Sequence, residues 1–144
     1  MGMTFEDVER FVTSLPGVTV GTKWANRTWM VGGKGFAWQR PLRQADLKRY
    51  GDETPPAGEI LAVSVENLDA KDALLAMELP GFFTIAHFNG YPAVLIALRK
   101  ARAKDVRAAI LDAFRAVASS LPIAKRAAPR APKRRGTVKR RRAV

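Results

Sequence analysis

LPGFFTIAHFNGYPAVLIAL, Leu79 to Leu98, sets two apolar runs on either side of a polar hinge. The hinge, His87-Phe88-Asn89-Gly90-Tyr91-Pro92, carries the only histidine of the chain. Such a pattern predicts a strand over Phe82–Ala86, a structured turn, and a second strand over Ala93–Leu98. Pro92 suits the first position of a strand, where a missing N–H is tolerated.

The rest of the chain builds a sheet around this pair. Thr4 and Asp7 have the spacing of a capping box, and Phe5, Val8, Phe11, Val12 and Leu15 recur at helical spacing before Pro16-Gly17 stops the helix. The stretch through Gly21 toward Asn26 reads as a loop. Thr28–Val31 and Phe36–Gln39 read as strands joined at Gly32-Gly33-Lys34-Gly35, a hairpin turn with Lys34 at its tip. Asp46–Tyr50 has the composition of a short helical turn. Ile60–Val65 is apolar enough for a strand, and Ala70–Glu78 reads as a helix capped by Asp69 and closed by Pro80-Gly81. A last helix runs over Ala103–Leu121, with Val106, Ile110, Phe114, Val117 and Leu121 in one stripe and Arg107 snorkelling at its edge. The resulting order, α-β-β-β-α-β-β-α with short connections, predicts an α+β domain: a twisted antiparallel sheet with helices on one face.

Composition narrows the chemistry. The 144 residues include no cysteine, which removes disulfides, thiolate metal sites and cysteine nucleophiles. One histidine rules out a multi-histidine metal site within a chain. No stretch is apolar over the roughly 18 residues that a membrane span requires. The N-terminus lacks the basic and apolar regions of a signal peptide. A cytoplasmic protein without a membrane partner, monomeric by default, is the expectation.

Charge is the stronger signal. The net charge is +12, and it is unevenly placed. Residues 122–144 hold ten bases and no acid: Lys125, Arg126, Arg130, Lys133, Arg134, Arg135, Lys139, Arg140, Arg141 and Arg142. This Ala/Pro/Lys/Arg-rich segment is too polar to build a core and reads as a disordered tail following a globular domain over residues 1–121. Within that domain, Lys23, Arg27, Lys34, Arg40, Arg43, Lys48 and Arg49 face only one acid, Asp46, in the same stretch. A basic patch beside a basic tail points to a polyanion.

Several pieces taken together resemble the MmcQ/YjbR family: the leading helix ending in Leu15-Pro16-Gly17, the hairpin Gly32-Gly33-Lys34-Gly35-Phe36-Ala37, Phe82-Phe83, His87 to Val94, and the closing helix. The resemblance covers about Met3 to Leu121. It implies the fold of the bacterial frataxin homologues (CyaY-like) and DNA binding through exposed loops or wings. Two features depart from it. The strand Leu61–Glu66 lacks a lysine expected near it, and the tail lies outside the resemblance. Frataxin-type iron binding does not carry over, because the first helix offers only Glu6, Asp7 and Glu9. No cofactor or metal is expected.

Two sites follow. For nucleic acid, the tail bases bind phosphates by charge and counterion release, while Lys23, Arg27, Lys34, Arg40 and Arg43 form a hairpin and loop surface. Aromatic faces among Trp24, Trp29 and Trp38 could stack on bases, Trp24 being the best exposed candidate, with Trp29 and Phe36 assigned to the core. The binding is expected to be largely non-specific, with DNA favoured over RNA. The alternative is a module for a small molecule or a protein, built on His87, Asn89 and Tyr91, the tail serving only to localise it. His87 lacks a nucleophile or carboxylate partner in sequence, so the reading is non-enzymatic, and its imidazole is expected to bond a backbone carbonyl or Asn89 and hold the turn.

Overall fold

The computed structural model describes residues 2–23 and 25–121, so the tail bases and Trp24 lie outside the described residues. The chain runs α1 (Phe5–Val12), β1 (Val18–Lys23), β2 (Asn26–Val31), β3 (Lys34–Gln39), α2 (Gln44–Lys48), β4 (Ile60–Ser64), α3 (Leu68–Ala76), β5 (Phe82–Phe83), a 3-10 turn (Ala86–Phe88), β6 (Ala93–Ala97) and α4 (Ala103–Ser119). The six strands form one antiparallel sheet in the order β1-β2-β3-β4-β6-β5. This is the α+β architecture expected, with an additional strand, β1.

Because side chains alternate across a strand, the register sorts residues onto two faces. One face buries Trp29, Leu61, Val63, Val94 and Ile96 against Val8 and Val12 of α1 and Val106, Ile110 and Ala113 of α4. Between Trp29 and Met30 the β2–β3 register slips by one residue, leaving Phe36 bulged. Its ring turns to the helices and meets Phe114 edge-on at 5.6 Å. The other face carries a smaller core of Ile60, Ala62, Ala93 and Leu95 under Ile85 and Phe88. Among the described residues, Trp38, Leu42 and Phe83 are the further apolar side chains packed on this second core, and the candidate site lies there.

Local chemistry accounts for the elements. The capping box forms as expected: Asp7 N–H donates to Thr4 Oγ1 at 3.2 Å and Thr4 N–H to Asp7 Oδ2 at 3.0 Å. Gly32 and Gly33 have φ of 60° and 82°, the pair of left-handed residues that a two-residue hairpin requires. That corrects the position of Lys34, which pairs with Val31 inside β3, while the glycines form the tip.

Four further boundaries differ from expectation. Val18–Lys23 is an edge strand rather than a loop. Gly21, the apparent loop signal, pairs with Thr28 inside the strand, with Met30 Cε 2.5 Å from where a Cβ would stand. The α3 cap is Asn67, whose Oδ1 accepts from Ala70 N–H at 2.8 Å, and not Asp69. The strand expected over Phe82–Ala86 stops at Phe83, because Ile85 and Phe88 dive into the second core and draw the chain into a 3-10 turn. The short helical turn expected at Asp46 begins two residues earlier, at Gln44.

Two non-glycine residues bear a backbone cost, Ala25 at φ 66° between β1 and β2 and Glu78. Glu78, just past the α3 C-cap, sits at φ 52°, where a Cβ is disfavoured. Glu78→Gly is expected to stabilise the domain by about 1 kcal/mol. Thermal unfolding should shift upward by a few degrees, and an unchanged or lowered midpoint would contradict this assignment.

Candidate functional site

On the sheet face turned away from α1 and α4 lies a cleft of about 500 Å³. The alternation that buries Trp29 and Ala37 toward the helices turns their neighbours Thr28 and Trp38, which pair with each other, to the cleft. Gly35 of β3, also on this face, adds floor space: a Cβ there would meet Thr28 Cγ2 at 2.9 Å. Lys23 and Asn26, a pair at the ends of β1 and β2, close one end. Arg40 and Arg43 come from the segment between β3 and α2, and His87, Phe88 and Tyr91 from the loop preceding β6.

The aromatic wall is ordered by edge-to-face contacts. Trp38 and Tyr91 have ring centroids 6.5 Å apart at 69°, and Phe88 and Tyr91 5.5 Å apart at 79°. Phe88 is buried, whereas Tyr91 remains 49% exposed. Tyr91 thus presents a large ring to solvent while Phe88 fixes it from behind.

Behind this wall lies a buried ion pair. Arg40 Nη2 donates to Asp46 Oδ2 at 3.1 Å, with both side chains almost wholly buried. Arg40 also donates to the Pro41 carbonyl and lies 5.5 Å over the Phe88 ring. Asp46 additionally accepts from Arg43 N–H at 2.9 Å. Burial pushes the Asp46 carboxyl upward, but the Arg43 N–H, the Arg40 guanidinium and the nearby His87 outweigh it, so the group stays below the ordinary carboxylate range.

A second buried cation holds the loop. Lys71 of α3 is 5% exposed, and its Nζ donates to the carbonyls of Phe88 at 2.6 Å and Tyr91 at 2.9 Å. Burial draws the Lys71 ammonium below its usual range, with Asp72 pulling weakly the other way. The role expected of His87 therefore belongs to Lys71. Among the described residues His87 makes no hydrogen bond; it is exposed, with its ring 6.2 Å from that of Phe88.

The structure joins two sets of residues that the sequence kept apart. Lys23, Arg40 and Arg43 of the basic patch share one cleft with His87 and Tyr91 of the hinge. Arg27, Lys34 and Asn89 lie elsewhere. Arg27 points to the helix side, where its Nη1 donates to Glu9 Oε1 at 2.6 Å, and Trp29 Nε1 donates to the same oxygen at 3.2 Å. These bonds, led by that from Arg27, hold the Glu9 carboxyl below its usual range against the opposing effect of burial. Lys34 is exposed at the hairpin, and Asn89 is exposed outside the cleft. Trp29 and Phe36 are fully buried, as expected.

Sequence reading missed Lys71 and the use of Asp46. A lysine three and four residues before Leu74 and Leu75, which pack on the core, was the available signal for the first. Among the described residues, no group of three His, Asp or Glu side chains lies close enough to hold a metal ion. No described helix is long and apolar enough to cross a membrane.

Comparison with known proteins finds mycobacterial relatives, among them "Uncharacterized protein Rv2570" of Mycobacterium tuberculosis and "Uncharacterized protein Mb2600" of Mycobacterium bovis. Each is 42% identical over 114 residues, an alignment that spans 77% of this chain and 85% of the relative. No family model matches the chain. No solved structure matches it.

Proposed function

The chain belongs to the same family as these mycobacterial proteins, and we propose that it is a nucleic-acid-binding protein, favouring DNA, as the MmcQ/YjbR-like order of its motifs implies. The observation that carries the reading is the meeting of Lys23 and Arg43 with Trp38 and Tyr91 in one cleft that, among the described residues, no acidic side chain lines. Neither Lys23 nor Arg43 forms an ion pair among the described residues, so both charges are available to phosphates. The ten bases of residues 122–144 would add a tethered, sequence-independent contact.

A salt series on the full chain tests this. Neutralising five to eight phosphates of a duplex predicts a log–log slope of about −5 to −7. Changing Arg140, Arg141 and Arg142 to glutamine should flatten that slope by about 2 to 3 if each base neutralises one phosphate. Absence of binding at low salt, or affinity indifferent to salt, would rule the reading out.

A second reading has its own support. A concavity of this size, with an exposed Tyr91 and His87 at its rim, is within the range of small-ligand sites. In that case the folded domain would bind a small molecule or a peptide, and the basic segment would serve localisation.

A further inference from the structure

We infer that the cleft binds one unpaired nucleotide unit, with its base against Trp38 and Tyr91 and its phosphate between Lys23 and Arg43. The inference rests on the nucleic-acid reading and names the form of nucleic acid the folded domain selects.

Charge comes first. Among the described residues, three cations and no carboxylate line the cleft, and Arg40 is neutralised from behind by Asp46. Lys23 and Arg43 remain at the rim, both exposed and without an ion pair among the described residues. Two cations around one concavity suit a compact anion such as a phosphate. The buried pair also fixes the backbone of Arg43, whose N–H is bound to Asp46 at 2.9 Å at the start of α2.

Shape comes next. The floor is buried Thr28 and Phe88 with a glycine at position 35, so a flat group can descend between the rims. Trp38 and Tyr91 offer their rings at its side, and base–aromatic stacking tolerates any base because each has a π-face. In a duplex the bases are stacked inside and cannot reach these rings. A duplex could touch only the rim charges, so the aromatic wall discriminates in favour of a single strand. The shared chemistry, a phosphate joined to an aromatic base, also occurs in a free nucleotide, and the experiment separates the two sources.

The full chain is titrated across one salt series with adenosine 5′-monophosphate, a ten-residue oligothymidylate and a duplex of equal length. The variants are Tyr91→Ala, Tyr91→Phe and the double variant Lys23→Ala/Arg43→Ala, with folding checked by circular dichroism. The oligothymidylate should bind more tightly than the duplex. Tyr91→Ala should weaken it roughly tenfold or more, and Tyr91→Phe should retain it because the ring is kept. Lys23→Ala/Arg43→Ala should lower its salt slope by about 0.7, the value of the one phosphate contact that the pair makes. These surface variants also guard against a misfolded Tyr91→Ala.

Oligothymidylate binding unchanged in every folded variant would overturn the inference; if the duplex still bound, the broader nucleic-acid reading would survive. Conversely, nucleotide binding lost in Tyr91→Ala, with neither polymer bound, would uphold the cleft as a nucleotide site and end the nucleic-acid reading. Equal loss of ring-dependent affinity for duplex and single strand would also overturn the inference, since a paired base cannot stack there.

Discussion

Asp46→Ala is expected to destabilise the domain by about 3–5 kcal/mol, the range found when one partner of a buried ion pair is removed. Arg40 and Asp46 are only 3% and 4% exposed. Removing the carboxylate leaves a guanidinium out of water with the Pro41 carbonyl and the Phe88 ring as its remaining company. It also frees the Arg43 N–H at the start of α2. The double variant Arg40→Met/Asp46→Leu should recover most of the loss, because the penalty lies in the unpaired charge and not in a missing attraction. Urea unfolding of the three proteins measures this, and a single variant within 1 kcal/mol of wild type would contradict the burial argument.

The same pair sets an acid limit. The folded Asp46 carboxyl titrates below its value in the unfolded chain. Between those values the unfolded state binds more protons, so stability falls as pH decreases. The contribution is complete above the unfolded value of roughly 3.9 and is lost as pH drops through the lower folded value. Unfolding free energy should therefore be flat from neutrality to about pH 5 and decline below about pH 4. In Asp46→Asn, which cannot titrate, the acid decline should be shallower.

Much of this architecture is legible in the sequence because local signals agree with one another. The Thr4/Asp7 box, the Gly32-Gly33 turn and the stripe of α4 each carry a mechanism that works without knowledge of distant residues. Expectation and structure part where a distant residue decides. Gly21 is in a strand because it pairs with Thr28 of the neighbouring strand. Phe82–Ala86 is not a full strand because Ile85 and Phe88 have a second core to enter. The cleft is legible only in halves. Lys23 and Arg43 read as phosphate contacts and His87 and Tyr91 as the lining of a groove, but their union depends on which strand faces which. Period-2 alternation predicts two faces and cannot say which loop crosses one of them. His87 does not hold the turn for a related reason: Lys71, which does the holding, lies in another helix.

Lys71 is the point at which fold and site depend on the same atoms. Its ammonium bridges the carbonyls of Phe88 and Tyr91, tying α3 to the loop that supplies the exposed ring of the cleft. Each carbonyl also accepts a backbone bond, Phe88 O from Tyr91 N–H and Tyr91 O from Ala93 N–H. Loss of the lysine therefore removes a second, charge-assisted partner and does not leave either oxygen bare. Lys71→Met keeps the apolar stem but deletes the donor, and should destabilise by about 2–3 kcal/mol. Lys71→Ala adds a void and should cost about 1 kcal/mol more. The difference between the two separates charge from packing. In Lys71→Met the amides of Tyr91 and Ala93 should exchange faster with solvent water than those of β4, and single-strand binding should weaken alongside. A Lys71→Met protein with wild-type stability and wild-type exchange at these two amides would show that the 3-10 turn and the Phe88–Tyr91 packing hold the loop without the ammonium, and Tyr91 would then owe its position to the second core alone.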